Sequence, residues 1–420
     1  MNVLVTDGDQ RSALAITRSL GRRGVKVIVG EESDRCLASS SRYCTRRITY
    51  PSPYREPDAF DRFIARLVIR ERLDVVMPVT DVTTYAIARN QDTLRAYTAL
   101  AVPPFDAFER VTDKASLMHR AQKCGIPTPA TYVVDGISGL RAAQEQVTFP
   151  AVVKPTRSRI PTAHGWLPAR VHYVTNQFEL RRLYRETSYL ASYPSLIQEH
   201  IVGRGMGVFV LCERGSVRIA FQHLRVRERP PSGGVSVLSE SQAVDSALCA
   251  QAARLLEPLG WHGVAMLEYK ENRRTGIPVL MEVNGRFWGS LQLAIDAGVD
   301  FPYLSCQLAL GDRLDLPASY RVGHRTRWWL GDLDHLLLRV FNRDPGPLHS
   351  RVSKLRTAVD FVRATAPGVR NELVRVDDPM PACRELWHYA RDLGGALRRA
   401  ASRRVVRAAA APRLPVERER

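Results

Sequence analysis

Apolar runs of strand length alternate with helix-length segments in the first hundred residues. NVLVT (2–6), VKVIVG (25–30) and LDVVMPVTD (73–81) have the length and composition of strands. LAITRSLGRRG and DAFDRFIARLVIRERL, which lie between them, carry apolar residues at helical spacing. Because strands that alternate with helices form parallel sheets, we expect a doubly wound α/β domain over residues 1–110.

Polar residues follow two of these strands. Ligands of a doubly wound sheet bind beyond the carboxyl ends of its strands, and such positions are held by Asp7, Asp9, Thr80 and Asp81. Helix capping and turn formation explain the same four residues without a ligand. The sequence has no GxGxxG motif, so a dinucleotide is not indicated.

The pattern changes at about residue 111. VTDKASLMHRAQKCGIPTP predicts a capped helix that ends at Gly125, and the strands TYVV, FPAVVKP and SLIQEHI complete a small α+β unit over residues 111–202. GVFVL, VRIAFQHLRV, VAMLEYK and PVLMEVN, with a helix near 243–259, predict a second α+β unit over residues 203–318. Residues 319–420 are Arg-rich and helical in period, which predicts a helical, basic C-terminal extension.

Two apolar runs around NRRTG predict a β-hairpin near the end of the second unit. A turn centred on Thr275 gives three cross-strand pairs: Lys270 with Leu280, Glu268 with Glu282, and Met266 with Asn284. Like charges in directly opposed positions, with Cβ atoms about 4.5–5.5 Å apart, are destabilising. A shared proton or a divalent cation relieves that repulsion. A solvent-facing strand is the alternative, and a one-residue slip in register would separate the pair.

The side chains on this strand face have the chemistry of a metal–phosphate site. Glu268, Glu282 and Asn284 offer hard oxygen ligands, which suit Mg²⁺ or Mn²⁺ and not zinc. Mg²⁺ completes its octahedron with water and substrate phosphate, so a nucleotide is implied. Arg286 lies two residues beyond Asn284 and is placed to bind a phosphate or a substrate carboxylate with two hydrogen bonds.

Lysine is rare in this chain, and two of its six lysines stand where an anion is favoured. Lys154 ends the apolar strand FPAVVKP, where its charge is costly unless it meets a phosphate, and Lys114 lies at the start of the capped helix. IQEHI (197–201) places a polar pair inside an apolar strand, whose backbone is suited to read an adenine edge.

Composition excludes several classes of protein. The 420 residues are 45% hydrophobic, which is enough for two or three domains with sizeable cores. The seven cysteines show neither CxxC nor Cys/His spacing, and no apolar run reaches about 18 residues. We therefore expect a cytoplasmic protein with no transmembrane segment, disulfide framework or zinc site.

The net charge of +18 comes mostly from arginine. Basic residues are spread over the chain except near the end, where RRAASRRVVRAAAAPRLPVERER concentrates them. A solvated tail explains this segment, and a weak contact with an anionic membrane or a nucleic acid is the alternative.

The order of these motifs resembles the ATP-grasp superfamily over residues 1–315. The resemblance consists of an α/β domain followed by TDK with GIPTP, FPAVVKP, IQEHIVG, GVAMLEY and VLMEVNGRF. It is most similar to the branch with the architecture of the carbamoyl phosphate synthase large chain and to carboxylate–amine ligases. The implied fold is an ATP-grasp fold with an N-terminal pre-ATP-grasp domain, a small lid subdomain over 111–202 and a large subdomain over 203–318.

The resemblance also implies roles for the candidate residues. Lys114 and Lys154 would contact the nucleotide phosphates, and Arg286 and Lys154 would be catalytic at the γ-phosphate. The hinge that meets adenine would consist of Gln198, Glu199, His200 and Ile201. The implied ligands of Mg²⁺ or Mn²⁺ are Glu268, Glu282 and Asn284. In the implied reaction ATP converts a carboxylate to an acyl phosphate, which an amine then captures.

The sequence departs from the family pattern in three places. TRSRIPTAHGW, after the KP strand, has only Gly165 where the family has a glycine-rich phosphate loop, and Arg157, Ser158 and Arg159 are candidates to bind phosphate instead. VGRGMG after the hinge offers no clear ribose ligand. Asn-Gly-Arg at 284–286 replaces the usual Asn-Pro-Arg and keeps both functional side chains.

A loop with several arginines beside such a site is a candidate to bind the substrate carboxylate. HLRVRERPPSGGVSVLSES contains Arg225 and Arg227, which we predict to bind substrate together with Ser290. A surface hairpin loop is the alternative. Phe287 and Trp288 are expected in the core.

These observations predict an ATP- and Mg²⁺-dependent ligase that takes small-molecule carboxylate and amine substrates. A homodimer is the candidate assembly. Three alternatives stay open: a carboxylase that uses bicarbonate, a degenerate protein that binds nucleotide without catalysis, and a nucleic-acid binder that uses its basic tail. The atypical phosphate loop favours the degenerate protein, and the intact set of acidic and basic hairpin residues opposes it.

Overall fold

The N-terminal part of the chain forms a parallel sheet, in a computed structural model that describes residues 1–341, 353–365 and 368–409, with side chains described up to residue 395. Its five strands run in the order β3-β2-β1-β4-β5. The elements are β1 (Asn2–Val5), α1 (Arg11–Arg22), β2 (Lys26–Glu31), β3 (Cys44–Thr49), α2 (Pro57–Glu71), β4 (Val75–Met77), α3 (Asp81–Arg89), α4 (Gln91–Leu94), β5 (Ala99–Leu100), α5 (Phe105–Thr112) and α6 (Lys114–Lys123).

Alternate residues of β1 pack into opposite layers, because helices cover both faces of the sheet. Val3 and Val5 belong to the hydrophobic cluster that contains α1, whereas Leu4 belongs to the cluster that contains α2. All three are fully buried. The predicted doubly wound α/β arrangement is therefore confirmed.

A smaller antiparallel sheet follows, with strand order β10-β7-β11-β6 and a separate β8–β9 hairpin beside it. Its elements are β6 (Thr131–Asp135), α7 (Gly136–Ala143), β7 (Ala151–Pro155), β8 (Arg159–Thr162), β9 (Gly165–Pro168), β10 (His172–Val174), α8 (Gln177–Glu186), α9 (Ser188–Ser192) and β11 (Pro194–Glu199). We refer to this unit as the lid.

The largest sheet has seven strands in the order β16-β15-β12-β13-β14-β17-β18. Its first elements are β12 (Gly203–Glu213), β13 (Ser216–Arg229), β14 (Val235–Gln242), α10 (Ser246–Leu256), β15 (Gly263–Asn272), β16 (Pro278–Asn284), α11 (Leu291–Ala297) and α12 (Phe301–Leu310). Phe287 and Trp288 are almost fully buried and pack in the cluster that joins this sheet to α1, so the prediction that they are core residues is confirmed.

The β15–β16 hairpin has most of the predicted register. Glu268 lies opposite Glu282, and Met266 lies opposite Asn284. The predicted pairing of Lys270 with Leu280 is wrong, because an extra residue, Met281, shifts the register beyond the glutamates.

The C-terminal segment is not a purely helical appendage. Its elements are β17 (Arg325–Arg327), α13 (Trp329–Val340), α14 (Lys354–Arg363), β18 (Val369–Asn371) and α15 (Met380–Ala409). The strands β17 and β18 extend the largest sheet, so the sheet continues past residue 318. The last eleven residues of the basic tail, 410–420, lie outside the described part of the chain.

No helix in the described ranges is long and apolar enough to span a bilayer.

Candidate functional site: a cleft between the lid and the large sheet

A cleft of about 550 Å³ separates the lid from the large sheet. Alternate residues of β15 line its floor, namely Met266, Glu268 and Lys270. The neighbouring strand β16 adds Met281, Glu282 and Asn284, and β7 of the lid adds Val152 and Lys154. The alternation of a β-strand thus brings together the carboxylates and the amide that the hairpin pattern predicted to share one face.

Glu268 is held by an arginine from the adjoining part of the sheet. Arg225 donates from Nη1 to Oε1 at 2.8 Å and from Nη2 to Oε2 at 2.5 Å. Its Nη1 also donates to Glu228 at 3.0 Å. Burial raises the pKa of the Glu268 carboxyl, the charge of Arg225 opposes that rise, and the charge of Glu282 adds to it.

Glu282 faces the lysines of the cleft. Its Oε2 lies 3.8 Å from Lys114 Nζ, and its Oε1 accepts a hydrogen bond from Asn284 Nδ2 at 3.2 Å. Burial opposes ionisation, but Lys114 and then Lys154 outweigh it and lower the pKa of Glu282 to about 2. The two opposed glutamates are therefore stabilised by different cations, Glu268 by Arg225 and Glu282 by the lysines.

Three lysines converge on the cleft, and the sequence pattern had assigned roles to two of them. Lys114 Nζ donates to Ser158 Oγ at 3.0 Å, and Lys154 Nζ donates to the Met281 carbonyl at 3.5 Å. Burial, followed by the nearby charge of Lys114, lowers the pKa of Lys154 to about 8. Lys270, which had no predicted role, lies in the same cleft. Its position two residues beyond Glu268 on the same strand was the signal that could have identified it.

Arg286 connects the hairpin with the N-terminal domain. Its Nε and Nη2 lie 3.2 Å and 3.3 Å from the two carboxylate oxygens of Asp81 at the start of α3, and Nη2 donates to Asn284 Oδ1 at 2.9 Å. Asp81 is one of the predicted crevice residues. Thr80 instead caps α3, and the buried Asp7 accepts hydrogen bonds from the Thr80 amide and from Thr83, so the capping explanation holds for these two.

Only half of the predicted hinge faces the cleft. His200 and Ile201 line it. The Gln198 side chain donates to Thr131 Oγ1 at 2.8 Å, and the Glu199 carboxylate lies near the Ala130 amide, so both side chains lie against β6 and its approach. The alternation of β11 explains the difference for Gln198, whose side chain is buried within the lid.

Two of the three predicted substrate residues lie in the cleft, but not in a surface loop. Arg225 is buried on β13, and Ser290 lies 3.4 Å from the imidazole of the buried His223. Arg227 is not brought to the site, which corrects its predicted role: it donates to Asp332 at 2.6 Å. Val226 is an extra residue between the pairs formed by its two neighbours, and this bulge turns Arg227 to the other face of the sheet.

The segment that replaces a glycine-rich loop forms the β8–β9 hairpin and contacts the N-terminal domain. Arg157 pairs with Glu109 at 2.6 Å, and the Trp166 amide donates to the Tyr54 carbonyl at 2.8 Å. Gly165 has a φ of +112°, and a Cβ there would meet the Tyr54 carbonyl oxygen, so this contact requires glycine. Of the three candidate phosphate ligands, only Ser158 lines the cleft.

The charges of the cleft fit a metal-bound polyphosphate. In the described part of the chain seven cationic side chains and three carboxylates line it, which leaves an excess of four positive charges. The opposed Glu268 and Glu282 and the Asn284 amide oxygen supply hard ligands suited to Mg²⁺. The described residues contain no group of three or more His, Cys, Asp or Glu placed to hold a metal. The predicted set of two carboxylates and one amide is not such a group, so it stays a prediction.

One family model matches part of this chain, and solved structures share its fold. Residues 192–329 match the family described as ATP-grasp in the biosynthetic pathway with Ter operon. The N-terminal section of the carbamoyl phosphate synthase large chain of Methanopyrus kandleri is 22% identical over 338 residues, which are 77% of this chain and 57% of that protein. This chain thus spans little more than half the length of that relative.

Solved structures with the same fold include two enzymes with different substrates. The biotin carboxylase–β,γ-ATP complex from Campylobacter jejuni has a TM-score of 0.62 and 17% identity, over 77% of this chain and 74% of that one. The L-amino acid ligase from Bacillus licheniformis has a TM-score of 0.60 and 19% identity, over 77% and 78%. At these identities the likeness establishes the fold.

Proposed function

The chain has an ATP-grasp fold, and from this premise we propose that it is an ATP- and Mg²⁺-dependent ligase that joins a carboxylate to an amine through an acyl phosphate. One observation supports this proposal most strongly. Three lysines and Arg286 line the same cleft as the opposed Glu268 and Glu282. A metal–triphosphate complex would balance the excess of positive charge that these residues give the cleft.

Each side chain has a role that its position supports. Lys114, Lys154 and Lys270 would bind phosphate oxygens from the lid and from the floor. His200 and Ile201 would border the base at the hinge. Glu268, Glu282 and Asn284 would hold Mg²⁺, which supplies neutralisation of the charge on the phosphates when it is bound. Ligation there would require Arg225 to release part of Glu268, since it now binds both carboxylate oxygens.

The chemistry consists of two transfers. A carboxylate oxygen of the first substrate attacks the γ-phosphorus, the bond to the β-phosphate oxygen breaks, and ADP leaves. The amine of the second substrate then attacks the acyl carbon, the bond to phosphate oxygen breaks, and the amine loses a proton as phosphate departs. Arg286, which donates to Asn284 and pairs with Asp81, is placed to stabilise the transferring phosphoryl group.

The test is ADP release by the full chain with Mg²⁺, ATP and a panel of carboxylates, with hydroxylamine present in place of the amine. An acyl phosphate is trapped as a hydroxamate, so we expect hydroxamate to form in proportion to ADP for the true acid. Arg286→Gln should reduce both products about 100-fold. Release of ADP without hydroxamate for every acid would contradict an acyl phosphate on a carboxylate substrate.

The carboxylase alternative has a specific structural neighbour in its favour, since biotin carboxylase shares the fold. Labelled bicarbonate in the same assay separates the two reactions, because only a carboxylase would incorporate the label. If neither ADP nor incorporated label forms while Mg²⁺–ATP binds, the protein is a nucleotide binder without this chemistry. A cytoplasmic location and a homodimer stay predictions.

A further inference from the structure

A second chamber of about 620 Å³ adjoins the nucleotide cleft. The loop before α1, the start of α3 and the helix α15 form its walls. The two spaces adjoin each other, because the same four residues line both: Arg11, Val235, Arg286 and Gly289. A molecule held in this chamber would therefore meet the nucleotide cleft at Arg286, where the acyl phosphate is expected.

Four cationic side chains face the chamber, and two of them are already paired. Arg11 forms an ion pair with Glu372, and Arg286 pairs with Asp81. Arg159 and Arg384 form no ion pair among the residues that the structure describes, although the Arg159 guanidinium lies 5.4 Å from the centre of the Tyr54 ring. Arg384 donates only to the Arg35 carbonyl, and its buried Nε has no partner there.

Two carboxylates in the chamber likewise form no ion pair among the described residues, although the charge of Arg11 acts on one of them, Glu385. Asp9 accepts a hydrogen bond from the Leu37 amide at 2.9 Å, and Glu385 accepts one from Trp328 Nε1 at 2.6 Å. Neither has a cationic side chain within 4 Å in the described ranges. The Arg11 guanidinium lies 4.0 Å from the centre of the Trp328 ring and packs against this indole. Glu385 is thus held in a set position with one oxygen left to bind a ligand.

We infer that this chamber binds the amine substrate and that the substrate is an amino acid, a small molecule that carries both an ammonium group and a carboxylate. Arg384 on α15 and Arg159 on the lid bind its carboxylate, and Glu385 with Asp9 binds its ammonium group. The inference rests on the proposed function, because the amine attacks the acyl phosphate formed next door. The ammonium group loses a first proton to one of these two carboxylates and then attacks as the free amine, and the second proton leaves with the phosphate as the amide forms.

The helix α15 is therefore a wall of the substrate site. It supplies Arg384 and Glu385 from adjacent positions on its first turns, and His388 one turn further along lines the same chamber. The buried His388 Nε2 has no hydrogen-bond partner among the described residues. It is therefore available to a ligand, as are Arg384 Nε and the second carboxylate oxygen of Glu385.

The experiment is calorimetric and requires no turnover. The full chain, saturated with Mg²⁺ and ADP, is titrated with the free L-amino acids, and each one that binds is compared with its methyl ester and its N-acetyl derivative. We expect at least one free amino acid to bind, and each derivative to bind at least tenfold more weakly because each removes one charge.

Variants separate the two ends of the ligand. Arg384→Gln should weaken the free amino acid at least tenfold and leave its methyl ester within twofold, whereas Glu385→Gln should weaken the ester and leave the N-acetyl derivative unchanged. Arg159→Gln tests the carboxylate from the lid and does not disturb α15. Arg391→Gln, an exposed position on the same helix, is the matched control and should bind as the parent does.

Binding of Mg²⁺–ADP without any amino acid, or equal affinity for amino acid, ester and N-acetyl derivative, would overturn the inference and leave the proposed function standing. A failure of Mg²⁺–ADP to bind would overturn the proposed function instead. In that case the same titrations of the nucleotide-free protein still decide whether the chamber selects for both charges.

Discussion

Lys154 is a buried lysine in the candidate nucleotide cleft. Its positive charge destabilises the folded protein, and we propose that it binds phosphate. It is 7% exposed, and its pKa of about 8 lies below the ordinary value of about 10.4. A depressed pKa in the folded state means that the unfolded chain binds the proton more tightly. At pH 7 the charged lysine therefore costs the fold about 3 kcal/mol.

Replacement of Lys154 by methionine should remove this cost. We expect Lys154→Met to raise the free energy of unfolding of the nucleotide-free protein by about 1–3 kcal/mol at pH 7 and to abolish nucleotide binding. Urea denaturation and calorimetry measure the two effects. Lys123→Met, at an exposed position of α6, should change neither. A destabilised Lys154→Met variant would contradict the burial argument.

The same pKa predicts proton uptake when nucleotide binds. Phosphate beside Lys154 favours its charged form and raises its pKa from about 8, so at pH 9 binding should draw in a proton, and affinity should fall as pH rises from about 8 to 10. Below pH 7 the lysine is already charged, and uptake by this group should vanish. Titrations at pH 9 in two buffers of different ionisation enthalpy measure the uptake. Proton release at pH 9, or an uptake at pH 6.5 as large as that at pH 9, would refute this assignment.

Residue positions could be predicted where alternation alone decides them. The prediction that Glu268 lies opposite Glu282 is confirmed. The position of the turn and the two-residue alternation of a strand are enough to predict this pair. Arg227 and the Lys270 pairing were wrong because single extra residues in β13 and β16 reverse or shift the register, and nothing local to the sequence marks them.

At the scale of elements, the segment after β18 is attached to α1 by a buried ion pair. Arg18 and Asp378 are at most 1% exposed, and Arg18 Nε lies 2.8 Å from Asp378 Oδ2. The guanidinium also donates to the backbone carbonyls of Glu372, Leu373 and Asp378. Arg18 therefore contacts both ends of the segment 372–378. This segment leads directly into α15, the wall of the second chamber.

Removal of one partner of this pair should be costly. We expect Asp378→Ala to lower the free energy of unfolding by about 3–5 kcal/mol, because it leaves a buried guanidinium without its counter-charge. The double variant Arg18→Met with Asp378→Ala should recover part of that loss. Asp377→Ala, at a half-exposed position, should cost less than about 1 kcal/mol. Equal effects of the two alanine substitutions in urea denaturation would exclude a special role for the buried pair.

Most of the long elements were predictable, and two short ones were not. The runs that became β1, β2, β7, β11 and the β15–β16 hairpin are apolar and bounded by turn signals. β17 (RTR) and β18 (VRN) have three residues each and are mostly polar, and they form strands only because the edge of the large sheet pairs with them. The sequence alone does not indicate these two strands, because their pairing depends on the tertiary structure. For this reason we expected only a helical extension from residue 319 onward.

At the scale of the whole molecule, the candidate site lies where the three larger sheets meet. The lid supplies Lys154, the large sheet supplies the paired glutamates, and the N-terminal domain supplies Asp81 as the partner of Arg286. The order of motifs along the chain predicted this fold, whereas the second chamber could not be predicted. Arg11, Arg159 and Arg384 come from distant parts of the chain, and no local pattern connects them.

Calorimetric titration of ATP into the full chain, with and without Mg²⁺, tests the central claim most directly. We predict one ATP per chain with Mg²⁺, at least tenfold weaker binding without it, and loss of this Mg²⁺ dependence in the Glu268→Gln, Glu282→Gln double variant. The exposed Glu213→Gln should behave as the parent protein. Absence of ATP binding, or a Mg²⁺ dependence that the double variant retains, would contradict the account.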